Sequence, residues 1–284
     1  MIPYNCLVVY VLPTGRKHVK RLREGEDWHT AQGILAAASV HNAVFGSVVN
    51  TSLGMPVRVE EATFYDILMS LKRQTQIIYP KDVAYICLRL GAGPGKIIAE
   101  AGCGSGGLTA ALSWYCGPTG KVFSQDNREE FIKLARRNLD WAGLGENVEL
   151  RCQDIVDGFI INNADALFLD VREPWLYLKN ALNAVKGGAT LGFLLPTTNQ
   201  IVELLRALEK GPFAEIEVCE ILVRNWKPVP DRFRPNDRMV AHTSFLLFCR
   251  QQEQSKEFDE FMAPGTRERK QLAAREQREK EEEG

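Results

Sequence analysis

The sequence predicts an α/β protein with a mainly parallel sheet, an antiparallel terminal hairpin and a small β-rich N-terminal domain. Three observations predict it. From about Lys81 onward, short apolar runs alternate with segments of helical periodicity, as in a parallel sheet covered by helices on both faces. One apolar run, Ile97-Ile98-Ala99, passes through a glycine-rich loop directly into a helical pattern. Residues 1–65 instead carry short β-branched runs separated by turn residues, the pattern of a small barrel or sandwich.

Taken in order, Asn5–Leu12 is a strand candidate ended by Pro13-Thr14-Gly15, and a basic cluster follows from Arg16 to Arg23. Ser47–Thr51 and Val57–Glu60 are further strands, joined by a glycine–proline turn at Gly54 and Pro56. Ala62–Leu71 has helical spacing. The main domain, expected over 66–252, then alternates. Helices are predicted over Asp82–Leu90, Gly107–Tyr115, Arg128–Ala142, Tyr177–Val185 and Gln200–Leu208. Strands are predicted over Ile97–Ala99, Lys121–Ser124, Val148–Cys152, Ala166–Leu169 and Ala189–Leu195. Ile216–Val223 and Thr243–Phe248 complete a terminal hairpin around a Pro/Arg-rich loop. The remainder, 253–284, is expected to be a charged helical or disordered tail. Seven basic and nine acidic side chains crowd residues 255–284, which leaves little apolar surface to bury.

Composition narrows the classes. At 45% hydrophobic and 25% charged over 284 residues, the chain is an ordinary globular protein able to build a core without disulfides. Its seven cysteines include no Cys-x-x-Cys pair, and the start carries no basic, apolar leader, which favours free thiols in a reducing cytoplasm. No apolar run reaches the roughly 20 residues of a membrane span. The four histidines are scattered, without zinc-ligand spacing, so no metal is expected. A net charge of −1 gives no long-range attraction for nucleic acid, so any RNA contact must come from a local basic surface.

Four acidic positions fall where an open α/β sheet binds ligands. Glu100-Ala101-Gly102-Cys103-Gly104-Ser105-Gly106-Gly107 links the Ile97–Ala99 strand to a helix. Glycines allow the sharp turn and close ligand approach, and the order strand, glycine loop, helix makes the signal more specific. Acid followed by Gly-x-Gly-x-Gly is the nucleoside-binding loop of class I methyltransferases; a packing turn or another nucleotide site is the alternative. Asp126 ends the next strand, where an acid can accept from both ribose hydroxyls; a helix N-cap is its other reading. Asp154 can accept from an adenine amine, with a solvated loop acid as the alternative and Asp157 as competitor. Asp170 ends the apolar Ala166–Leu169 run and so emerges at the carboxyl edge of the sheet, unless it caps a helix. Late in the chain, Arg232, Arg234 and Arg238 cluster with Trp226 and Phe233, a composition suited to phosphate contact and base stacking or to a solvated loop.

Five segments together resemble the tRNA adenine-58 N1-methyltransferases of the bacterial and archaeal type: Thr75–Asp82, Glu100–Gly106, Asn127–Phe131, Leu169–Trp175 and Arg234–Thr243. The resemblance implies a class I methyltransferase domain, S-adenosyl-L-methionine as cofactor, tRNA as partner and a homotetramer. It implies catalytic roles for Asp170 and Tyr79. It implies cofactor contacts from Gln76, Glu100, Gly102, Gly104, Ser105, Gly106, Gly107, Asp126, Asp154 and Asp170. Two departures stand out: Cys103 replaces a usual threonine, and Gln125-Asp126 replaces a common Tyr-Glu, shortening the ribose acid by one methylene. Some members also methylate adenosine 57, which these residues leave open. Two other functions fit parts of the sequence: a class I methyltransferase acting on protein or a small molecule, and a non-catalytic tRNA-binding subunit. An intact glycine loop and Asp170 argue against the last.

Overall fold

Alternating apolar and polar side chains bring residues 1–61 together as antiparallel strands. The computed structural model describes residues 1–74 and 77–253, so the tail expected over 253–284 lies almost wholly outside the described residues. The first part comprises β1 (Leu7–Val11), β2 (Lys17–Arg21), a short hairpin of β3 (Trp28–Thr30) and β4 (Gly33–Leu35), helix α1 (Ala37–His41), β5 (Val48–Asn50) and β6 (Pro56–Glu61). Four of these strands pair in the order β2-β1-β6-β5. Val8 and Tyr10 of β1 alternate inward with Val57 and Val59 of β6, and Ile2, Leu22, Leu35 and Val40 close a small core over them. Leu7 points the other way, into the core of the larger domain.

The main domain continues with α2 (Phe64–Ser70), α3 (Pro80–Arg89), β7 (Ile97–Ala101), α4 (Gly107–Cys116), β8 (Lys121–Asp126), α5 (Glu129–Ala142), β9 (Val148–Cys152), β10 (Ala164–Leu169), α6 (Leu178–Ala184), β11 (Val185–Leu195) and α7 (Thr198–Leu208). Strand β12 (Phe213–Cys219), the two-residue strands β13 (Trp226–Lys227) and β14 (Arg234–Pro235), and β15 (Phe245–Gln251) complete it. Seven strands form one sheet in the order β12-β15-β11-β10-β7-β8-β9. Its strands run parallel except β15, which pairs antiparallel with both β11 and β12.

Successive residues of a strand face opposite sides of a sheet. In β10, Phe168 packs into the layer with Ile86, Leu112 and Phe248. Its neighbours Leu167 and Leu169 enter the opposite layer with Phe193, Leu204 and Leu247. A strand buried on both faces reads as a continuous apolar run, which is why Ala166–Leu169 carries no polar residue until Asp170. Helix α2 starts with a reciprocal cap. The Asp66 amide donates to the Thr63 hydroxyl at 3.2 Å, and the Thr63 amide donates to the Asp66 carboxylate at 3.1 Å. Such a cap is worth about 1 kcal/mol.

The predicted terminal hairpin is β12 and β15, with strand bounds shifted from those read in the sequence. Strand β11 starts earlier than expected, at Val185, and runs through Gly187 and Gly188. Partner contacts hold that stretch: Ala164 is in register with Val185, and the Gly188 amide donates to the Gln251 side chain at 3.0 Å.

Candidate functional site

The carboxyl ends of β7, β8 and β10 meet at one cleft. The crossing is tight because the Gly102 amide donates to the Gln125 carbonyl at 2.8 Å and the Asp170 amide donates to the Ala101 carbonyl at 2.9 Å. Gly102 has a φ of +87°, and a Cβ there would fall 2.1 Å from the Asp170 carbonyl oxygen. Only glycine fits, and it leaves bare backbone on the cleft floor. Gly106, at φ +79°, is the left-handed residue that turns the chain into α4.

The cleft has two lobes, and Asp170 lines both. One, of about 240 Å³, is lined by Gly102, Asp126, Asp154, Asp170 and Tyr177 among others. The other, of about 160 Å³, is lined by Glu100, Gly102, Gly104, Ser105, Gly107 and Asp170, with Ile77 and Ile78 on its apolar side. The structure therefore brings together Glu100, the glycine loop, Asp126, Asp154 and Asp170. Gln76 lies outside the described residues. Tyr79 is the N-cap of α3 and lines a neighbouring cavity rather than either lobe. Arg232, Arg234 and Arg238 sit on the exposed loop between β12 and β15.

Each acid has a distinct environment. Glu100 is fully buried; the hydroxyls of Thr109 and Ser124 each donate to its Oε2 at 2.6 Å. Burial pushes its carboxyl up to about 7, against those two hydrogen bonds, and the charges of Asp170 and Asp126 add to the rise. Asp170 is raised to about 6, first by desolvation and then by the charge of Asp126. Asp126 accepts from the Gly104 amide at 3.2 Å through Oδ2. Through Oδ1 it accepts from the Arg128 amide at 3.1 Å and from Arg128 Nε at 3.3 Å. It is not the helix cap, since Arg128 occupies that position. Nor does Asp170 cap a helix; the short 3-10 turn after it is capped at Glu173. Asp154 does cap a short turn, accepting from the Val156 amide at 2.9 Å, and its other oxygen accepts from Asn127 at 3.2 Å.

Three features of the site's surroundings were missed in the sequence. Arg128 lines both lobes, pairs with Asp126 and lies 3.8 Å from the Phe131 ring centroid, which sets a cation among the acids of the cleft. Asn138 is buried and ties Lys72, just after α2, to the glycine loop. Asn138 accepts from the Lys72 amide at 3.0 Å and donates to the carbonyls of Lys72 and Ser105, each at 2.8 Å. A polar residue on the apolar Phe131, Leu134, Ala135, Leu139 face of α5 was the available signal. Third, Lys81 and Asp82 form a buried pair at 2.8 Å. Lys81 also donates to the Thr243 hydroxyl at 2.7 Å, and that hydroxyl donates to Asp82 at 3.1 Å. This triad joins the start of α3 to the end of the late loop.

Basic residues expected to serve RNA divide by partner. In the N-terminal cluster, Lys17 pairs with Glu60 and Asp66, Arg23 pairs with Glu26, and Arg21 donates to the carbonyls of Asn5 and Trp141. In the late loop, Arg234 pairs with Asp237, which Lys227 also holds. Among the described residues, Arg232 and Arg238 have no ion pair. Trp226 stacks on Phe233 with centroids 5.0 Å apart, so this aromatic pair braces the loop.

Residues 66–234 match the family described as tRNA methyltransferase complex GCD14 subunit. A tRNA (adenine(58)-N(1))-methyltransferase TrmI from Thermus thermophilus is 33% identical over 237 residues, covering 83% of this chain and 93% of the relative. The crystal structure of the tRNA (m1A58) methyltransferase TrmI from Aquifex aeolicus superposes with a TM-score of 0.76 and 36% identity, over 89% of this chain and 99% of that one. A SAM-dependent O-methyltransferase from Thermotoga maritima superposes with a TM-score of 0.83 and 39% identity, over 90% of this chain and 96% of that one.

Proposed function

The chain belongs to the family described as the tRNA methyltransferase complex GCD14 subunit, and on that premise we propose that it methylates N1 of adenine 58 in the T loop of tRNA, using S-adenosyl-L-methionine. The observation that carries the reading is Asp170 at the junction of two lobes, with a ribose-type acid and an adenine-type acid in one and the glycine loop in the other. The donor set fits the cofactor. Asp126 would accept from the ribose diol and Asp154 from the adenine amine, and bare backbone at Gly102 allows close approach. Carboxylates around the second lobe suit an ammonium and a sulfonium. When bound, the cofactor supplies an electrophilic methyl group.

Neutral adenine already has a lone pair at N1, so no base need remove a proton first. As N1 is methylated, the ring becomes cationic. The Asp170 carboxylate, held in a poorly solvated site, stabilises that charge or accepts from the N6 amine. Half-buried Ile77 and Ile78 give the second lobe an apolar wall. In this reading Tyr79 lies near the target base, Gln76 contacts the cofactor, and Arg232 and Arg238 contact phosphate. The T-loop base must be exposed and flipped to reach Asp170.

We place the small N-terminal domain at 1–65, the catalytic domain at 66–252 and the tail at 253–284, and we take the protein to be a cytoplasmic homotetramer. Among the described residues no helix is long and apolar enough to cross a membrane. Nuclease digestion and mass spectrometry of tRNA after incubation with the protein and cofactor test the function. 1-Methyladenosine at position 58 is the expected product. A methylated hydroxyl, the acceptor class named for the Thermotoga relative, would replace this reading with an O-methyltransferase.

A further inference from the structure

We propose that the cavity beside the start of α3 binds an unpaired nucleotide of the substrate RNA flanking the target adenine; this rests on the reading of the chain as a tRNA methyltransferase. The cavity encloses about 590 Å³ between Tyr65 of α2, Tyr79 and Lys81 at the start of α3, and Arg224, Asn225, Asn236 and Arg238 of the late loop. That is within the roughly 300–1,000 Å³ of small-molecule sites.

Its chemistry is that of a nucleotide. Tyr65, 60% exposed on a short helix, offers an aromatic face. Val223, Met239 and Val240 add an apolar wall. Two asparagines can donate to and accept from a base edge. Among the described residues no carboxylate lines the cavity while two arginines do, and neither Arg224 nor Arg238 is in an ion pair with another described residue. Lys81 is committed to Asp82 and Thr243, so it forms wall rather than a free cation. Stacking faces with unpaired guanidinium groups match a base and its phosphate.

Position links this cavity to the reaction. Ile77 and Ile78 line the lobe that holds Asp170, and the next three residues, Tyr79, Pro80 and Lys81, line this cavity. One extended segment therefore separates the two. A strand whose target base enters the Asp170 lobe would carry its neighbouring nucleotide across that segment. The sequence signatures at Thr75–Asp82 and Arg234–Thr243 then have a shared purpose, because they form opposite walls of one pocket.

The test uses full-length protein and tRNA carrying 2-aminopurine at either nucleotide flanking the target adenine. Quenching of one probe on binding is expected. Tyr65→Leu should relieve it and weaken tRNA binding by roughly 5- to 150-fold, the range of a lost base–aromatic stack, while Tyr65→Phe retains both. The double variant Arg224→Gln and Arg238→Gln changes only exposed side chains, so its fold should survive. It should flatten the slope of log affinity against log salt by somewhat under about two units, with cofactor affinity unchanged. If wild type methylates tRNA yet the variants bind it as wild type does, the pocket assignment falls and the function stands. If wild type fails to methylate tRNA, the function itself falls. Variants that dissociate the assembly in sedimentation, with an unchanged salt slope, would show a second copy of the chain in the cavity and overturn the proposal.

Discussion

Asp170 owes its character to the two things that raise it, burial and the nearby Asp126 charge. The carboxylate is the form that stabilises a cationic base, so activity requires its ionisation. The kcat/KM profile, which reports the free enzyme, should therefore fall as pH drops through about 6 rather than through the ordinary carboxylate range near 4. Asp126→Asn should move that midpoint downward by removing the like charge. A profile flat from pH 5 to 8 would remove Asp170 from the chemistry. Glu100 titrates with a different consequence. Its folded carboxyl is raised to about 7, so between roughly 4.5 and 7 the folded state holds a proton the unfolded chain releases. Stability from this group is complete below the unfolded value and is lost as pH rises through 7. Glu100→Gln should abolish that part of the pH dependence of Tm, which melting curves from pH 4.5 to 8 would measure. The acids at strand ends were legible in the sequence because β-strand exits fix their place. Arg128 was not, because its role depends on folding back over Asp126 across one intervening residue.

Elements whose surroundings are apolar on both faces, such as β10, announced themselves as continuous runs. Elements held by partners did not. Strand β2, Lys-His-Val-Lys-Arg, is an edge strand, and charges suit an edge while hiding its identity. The hairpin of β3 and β4 turns through Ala31-Gln32 without the usual Asn-Gly signal. In the loop between β12 and β15, the three arginines read as one cluster, yet the structure divides them. Arg234→Ala should loosen the loop by removing one of the two cations that hold Asp237 and leave the salt slope of tRNA binding nearly unchanged. Arg232→Ala and Arg238→Ala should each flatten that slope by somewhat under about one unit. Equal slopes in all three would contradict the division. The Lys81–Asp82–Thr243 triad gives a further expectation. Thr243→Val keeps the shape but removes a hydroxyl bonded to both charges, at a cost of about 1–2 kcal/mol. A Tm drop of roughly 2–8 °C should accompany a raised KM for tRNA with cofactor affinity intact; calorimetry and steady-state kinetics would check both.

At the scale of the whole molecule, the sequence suggested a separate N-terminal unit, and the contacts show how firmly it is attached. Residues Met1–Gln251 form one compact unit. Leu7 reaches into the main core, and Arg21 bridges the Asn5 carbonyl to the Trp141 carbonyl at the end of α5. These long-range contacts leave no local pattern, so the sequence could not register them. Arg21→Ala should lower the global Tm by roughly 2–4 °C, as expected for about 1 kcal/mol, in a single transition. Two resolved transitions would mean the N-terminal strands melt independently.

The late loop leaves the sheet on β12 and returns on β15, two strands bonded to one another. Just before that return, His242 reaches the Pro196 carbonyl at 3.0 Å and Glu220 at 2.8 Å. Its ends are therefore fixed whatever lies between them, and lengthening a closed loop is thermodynamically inexpensive, about 0.6 kcal/mol per doubling. The glycine loop and its acids belong to the opposite half of the sheet. This arrangement makes the segment an exchangeable cassette: transplanting the corresponding stretch of a relative between Glu220 and His242 would redirect which RNA is chosen while the methyl-donor half keeps its affinity, so acceptor preference can diversify by loop replacement without refolding the catalytic floor.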